Sequence, residues 1–171
     1  GDIGKILGTI TILCGTAGII SGGYFAGKLR EKGFTDSKMR VGFIAAMIHI
    51  PLGVLFPLMP NPILSIIVLC PSVYFAAMPF GVAPAAIQEL MPNRMRGQAS
   101  AIYLFVVNMI GLGIGPTAVA MFTQNVFKDD MKVHWSLAAV STFAGIVSAI
   151  LLWNGMAQFR KVIASREAVD E

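Results

Sequence analysis

Between Val41 and Gln88 the chain runs 48 residues without an Asp, Glu, Lys or Arg. A helix rises 1.5 Å per residue, so this run would extend about 72 Å as one helix, against a hydrocarbon core of about 30 Å. It therefore crosses a bilayer twice. The turn falls at Pro60-Asn61-Pro62, because proline cannot continue a helix and Asn-Pro initiates turns. Other charge-free runs are Ile6–Gly27 (22 residues), Gly97–Phe127 (31) and Val133–Phe159 (27). Charged residues make up 13% of the chain, and its mean hydropathy is +0.73. Soluble domains carry about 25% charge. These values exclude a soluble enzyme and a nucleic-acid-binding module. The fold class is an all-α, polytopic integral membrane helix bundle with five spans, about 3–27, 40–59, 63–90, 98–123 and 135–157, and a tail over 158–171.

Orientation follows from the Lys/Arg bias. Lys28, Arg30, Lys32, Lys38, Arg40, Arg94, Arg96, Arg160, Lys161 and Arg166 lie on one side, and Lys5, Lys128 and Lys132 on the other. That bias puts the first and third loops and the C-terminus in the cytoplasm, and the N-terminus outside. A hydrophobic helix entering from outside normally follows another span. The chain also lacks a starting Met and a basic signal-peptide region. The expectation is the C-terminal piece of a larger protein.

The first span carries Gly4, Gly8, Gly15, Gly18, Gly22, Gly23 and Gly27. Such small residues let helix backbones approach closely in lipid, and Gly18 and Gly22 form a small-xxx-small pair. Cys14 and Cys70 both sit in apolar stretches and imply neither a disulfide framework nor a metal site.

Three segments resemble the major facilitator superfamily. Gly23 to Gly33 resembles its loop signature, a Gly, three residues, an acid and a basic cluster, here Gly23 with Lys28, Arg30 and Lys32. Gly27 stands where the family has the acid. Pro92-Asn93-Arg94-Met95-Arg96-Gly97-Gln98-Ala99 is similar to the family's Pro-x-x-x-Arg-Gly-x-Ala segment. Gly111-Leu112-Gly113-Ile114-Gly115-Pro116 resembles its Gly-Pro helix-packing element, a feature suited to a fold of repeated halves. Gln88-Glu89-Leu90 before Pro92, taken with the Gly-Pro element, looks most like the spinster-like branch. The resemblance implies helices eight to twelve of twelve, an incomplete C-terminal half of the fold.

Ionisable groups within a span are functional candidates by default. His49 reads as bonded to a neighbouring helix, with a proton-linked or substrate role as the alternative. Glu89 reads as an ion pair with Arg94, Arg96 or Arg30 that closes an inner gate with Gly97, or else as a proton-coupling carboxylate. Pro71, Pro79 and Pro84 mark the third span as a bent helix. Thr9, Thr11, Thr16, Ser72, Tyr74 and Asn108 are candidates for a cavity wall. No catalytic trio, metal-binding cluster or cofactor motif appears, so no enzyme and no cofactor are expected.

The resemblance implies part of a secondary transporter that moves a small organic or amphipathic solute by alternating access. The isolated piece would be inactive. Its partners would be membrane lipid, the solute and the N-terminal half of the same transporter, with no nucleic acid. Its place would be a bacterial inner membrane. The alternative is a membrane-embedded helical scaffold that oligomerises through the glycine seam.

Overall fold

The computed structural model describes residues 2–127 and 133–170, and among them it is helical with short turns and no strand. Lys128 and Lys132, placed outside by the charge bias, lie beyond the described residues. The helices are α1 (Asp2–Glu31), α2 (Ser37–Leu58), α3 (Pro62–Leu90), α4 (Arg96–Asn108), α5 (Gly115–Phe122) and α6 (Val133–Asp170). Two π-helical turns, Met109–Ile114 and Thr123–Phe127, join α4 and α5 into one span and extend it. Five helices are long and apolar enough to cross a membrane.

Local chemistry explains the boundaries. α1 ends where Gly33 takes φ +87°, the left-handed conformation that glycine adopts without a side-chain clash. The Gly33 and Phe34 amides then donate to Arg30 O and Leu29 O at 2.9 and 3.2 Å. α2 stops at Leu58, and α3 begins at Pro62 with Asn61 capping it. The Ile63 amide donates to Asn61 Oδ1 at 3.1 Å. Pro116 has no N–H for the carbonyl of Leu112, and the helix widens just before it. The Gly115 amide reaches back five residues to Ile110 O.

α3 packs between α1 and α2, and α2 packs between α3 and α6. The α1–α3 contact is made close by glycine. A side chain at Gly18 would run into the Tyr74 carbonyl, one at Gly81 into the Ile19 carbonyl, and one at Gly22 would lie 2.6 Å from the Met78 carbonyl. α2 and α6 run antiparallel, with Met39 against Gly155, Gly42 against Leu152 and Ile50 against Gly145. The α4–α5 span stands away from this bundle, and no residue of Arg96–Asn108 or Gly115–Phe122 is buried. The last helix continues past residue 157 as far as Asp170, so the segment read as a tail is a helical extension.

Candidate functional site

Two carboxylates organise the end of the bundle that holds the α1–α2 loop. Glu89, on the last turn of α3, is ion-paired with Arg30 at the end of α1 and with Lys38 Nζ at 2.8 Å on the first turn of α2. Lys38 Nζ also donates to Ala85 O at 3.1 Å. One half-buried anion thus ties three helix ends together. Charge-assisted bonds of this kind are roughly twice as strong as neutral ones.

Asp36 lies in the α1–α2 loop and is 1% exposed. Arg40 Nε donates to its Oδ1 at 2.7 Å, and the Arg40 guanidinium stacks 4.2 Å from the Phe34 ring. Arg160 Nε, arriving from α6, lies 3.4 Å from Oδ2. That N–H is directed at Met156 O, so Oδ2 has a Coulombic neighbour but no hydrogen bond.

The loop-motif residues surround this centre unevenly. Arg30 joins the Glu89 pair. Lys28 lies 5.3 Å from the Tyr24 ring, Gly23 and Gly27 face open space, and Lys32 is exposed in the turn. Glu89 takes its cations from α1 and α2. Arg96, suggested by sequence as a partner, donates to Met91 O at 3.3 Å, while Arg94 is exposed and Gly97 faces open space. Sequence reasoning singled out neither Asp36 nor the Lys38–Glu89 pair. An Asp directly before a helix start is a capping signal that marked the position. Its side chain makes no cap and serves the two arginines instead.

A cavity of about 1180 Å³ opens where the α4–α5 span stands off from α2, α3 and α6. Its polar lining includes His49, Thr123, Gln124, Ser141 and Ser148, among mostly apolar neighbours. His49 Nδ1 sits 3.1 Å from Ser72 O, so the imidazole is bonded to α3 as one reading of its sequence context expected. The buried Ser72 hydroxyl lies 3.4 Å from the same nitrogen.

None of the six candidate wall residues lines this cavity. Thr9 and Thr11 donate to carbonyls of their own helix, Lys5 O and Leu7 O, and are exposed with Thr16 on α1. Asn108 donates to Leu104 O on an exposed face, and Tyr74 packs edge-on to Phe75 against the small core of Ala26, Val41, Ala45, Met78 and Val82. Single spans carried these six as candidates, and the bundle turns their faces in different directions. The Gly-Pro element differs in the same way. A side chain added at Gly111 or Gly113 would meet nothing within 4 Å, and Gly111, Gly115 and Pro116 line the cavity.

Among the described residues, no group of three His, Cys, Asp or Glu side chains is placed to hold a metal ion. No family model matches the chain, and no solved structure matches it. The chain is 25% identical over 167 residues to a protein of Mycolicibacterium smegmatis (strain ATCC 700084 / mc(2)155) named an MFS-type efflux pump. The match covers 95% of this chain and 38% of that relative, so the chain spans well under half the length of the relative it matches. The five apolar helices are those of an integral membrane protein, and the similarity is to a protein whose name places it among MFS-type pumps.

Proposed function

We propose that the chain forms helices eight to twelve of a secondary transporter of the spinster-like branch, which exports a small organic or amphipathic solute by alternating access. The observation that carries this reading is the coincidence of three ordered family-like motifs with a named efflux pump that aligns over 95% of the chain. Export as the direction comes from that relative's name alone. The orientation is the one the Lys/Arg bias gives, with the Glu89 and Asp36 clusters and the C-terminus on the cytoplasmic side of a bacterial inner membrane.

The geometry suits this role. Glu89, Arg30 and Lys38 fasten α1, α2 and α3 at one end, so these helices move as a unit when one half rocks against the other. The exposed faces bearing Thr9, Thr11, Thr16 and Asn108, and the unpacked Gly111 and Gly113, would meet the N-terminal half. Glu89 with Arg94, Arg96 and Gly97 would form the inner gate region. A scaffold that oligomerises through the glycine seam is the second reading; the α1–α3 contact already takes up the Gly18 and Gly22 part of that seam.

The test is transport by the full-length gene product in proteoliposomes under an imposed proton or sodium gradient, with ethidium, Hoechst 33342 and a fluorescent lysophosphatidylcholine as probes. Gradient-dependent movement of at least one probe is expected, with none by purified residues 1–171. Movement of no probe by the full-length product, or vectorial movement by residues 1–171, would overturn the reading.

A further inference from the structure

A groove along α2 and α6 carries chemistry that the transport reading does not use. It has two parts that share Phe43 and Trp153, whose ring centroids are 5.4 Å apart. The deeper part, about 450 Å³, is lined by apolar side chains including Met47, Ile50, Ile146 and Ile150. The other, about 430 Å³, lies at the α1–α2 loop end and is bordered by Asp36, Arg40 and Arg160.

Its dimensions are those of one leaflet. Ile50 lies ten residues beyond Arg40 on α2, which is about 15 Å of helix, and half of a 30 Å hydrocarbon core is also about 15 Å. The charged end therefore stands at headgroup depth when Ile50 and Ile146 stand near the midplane. Met47, Ile146 and Ile150 are about half exposed, as side chains facing acyl chains are.

The charged end has a surplus. Two guanidinium groups flank one carboxylate: Asp36 accepts a hydrogen bond from Arg40 Nε, whereas Arg160 Nε lies 3.4 Å from it as a charge neighbour and donates to Met156 O. Among the described residues, the terminal nitrogens of Arg40 and Arg160 have no hydrogen-bond partner. Arginine's planar fork suits phosphate oxygens, and basic pockets between helices on the cytoplasmic side attract anionic headgroups.

We propose that this groove binds one anionic phospholipid, with its phosphodiester between Arg40 and Arg160 and an acyl chain along Phe43, Met47, Ile50, Ile146 and Ile150. Asp36 is the positioning residue that holds both guanidinium groups at the groove mouth. A soluble phosphate would use the arginines and leave the apolar part unfilled, whereas a phospholipid uses both. Bound there, the lipid clamps the Arg160 turn of α6 to the start of α2.

The test is native mass spectrometry of the full-length gene product released from nanodiscs of equal phosphatidylglycerol and phosphatidylcholine with matched chains. One phosphatidylglycerol is expected to stay bound per chain, in preference to phosphatidylcholine. R40Q/R160Q should weaken its retention about thirtyfold, at about 1 kcal/mol per cation and 1.4 kcal/mol per factor of ten. Ile150→Trp fills the groove and keeps both arginines, so it should also expel the lipid and tests the acyl half even where the double variant fails to fold. K28Q/K32Q removes two charges from the same loop and should leave retention unchanged. Equal retention of the two lipids, retention of phosphatidylglycerol by Ile150→Trp or by a folded R40Q/R160Q, or its displacement by free glycerol 3-phosphate would each overturn the proposal. The readout needs no transport, so this inference fails or survives separately from the proposed function.

Discussion

Lys38 Nζ lies 2.8 Å from Glu89 Oε2 across 51 residues of sequence, joining the first turn of α2 to the last turn of α3. Arg30 shares the same carboxylate from the end of α1. This contact fixes how three helices meet at one end of the bundle.

Removing the anion should therefore cost more than removing one cation. Glu89→Gln leaves Arg30 and Lys38 facing each other without their shared partner, at about 2 kcal/mol. Lys38→Met leaves the Arg30 pair in place and should cost less. A double-mutant cycle between Glu89 and Lys38, read by thermal unfolding in detergent, should give a coupling of about 1 kcal/mol, since the pair is partly exposed. A coupling near zero would mean that the ion pair does not organise the helix ends.

The glycines of α1 and α3 should separate into two classes. Gly18→Ala and Gly81→Ala push a methyl group into the facing backbone carbonyl, where no side chain is available to yield. Each should cost about 2 kcal/mol or more. Gly8→Ala and Gly23→Ala meet nothing within 4 Å and should be neutral or slightly stabilising, since alanine is the better helix former. Unfolding midpoints of the four variants in one detergent check this, and equal losses at all four would contradict the packing described.

The α4–α5 span is attached to α6 through a buried hydroxyl pair. Thr123 Oγ1 and Ser136 Oγ are 2.8 Å apart, and both residues are almost fully buried. Thr123→Val keeps the shape and removes the bond, so it should cost about 1 kcal/mol, the usual scale for such bonds within a membrane. Faster protease cleavage between residues 123 and 136 should accompany that loss. Unchanged stability and cleavage would show that the span is held by other contacts.

The sequence exposed the parts of this fold that depend on neighbouring residues. Charge-free runs marked the five spans, and the Pro60-Asn61-Pro62 turn follows from proline and Asn chemistry alone, with α2 ending at Leu58 and α3 starting at Pro62. Gly18 and Gly22 pointed to a close helix contact, and the structure places α3 there. The partners in the charged clusters were harder to read. Asp36 meets Arg160 only because α6 returns to the same end beside α2, a contact spanning 124 residues that no local pattern encodes. The loop basic residues looked equivalent in sequence, yet Arg30 and Lys38 are paired with Glu89 while Lys32 is exposed. The widened turn over Met109–Ile114 depends on how the chain accommodates Pro116, and spacing alone does not report that.

The proposed function makes these helices one part of a larger transporter. Its most direct test is the mass of the native product in source membranes, detected with an antibody raised against the segment after Arg160. A band well over twice 18.2 kDa is expected. A native product of 18.2 kDa would contradict it and make a self-standing five-helix scaffold the leading explanation.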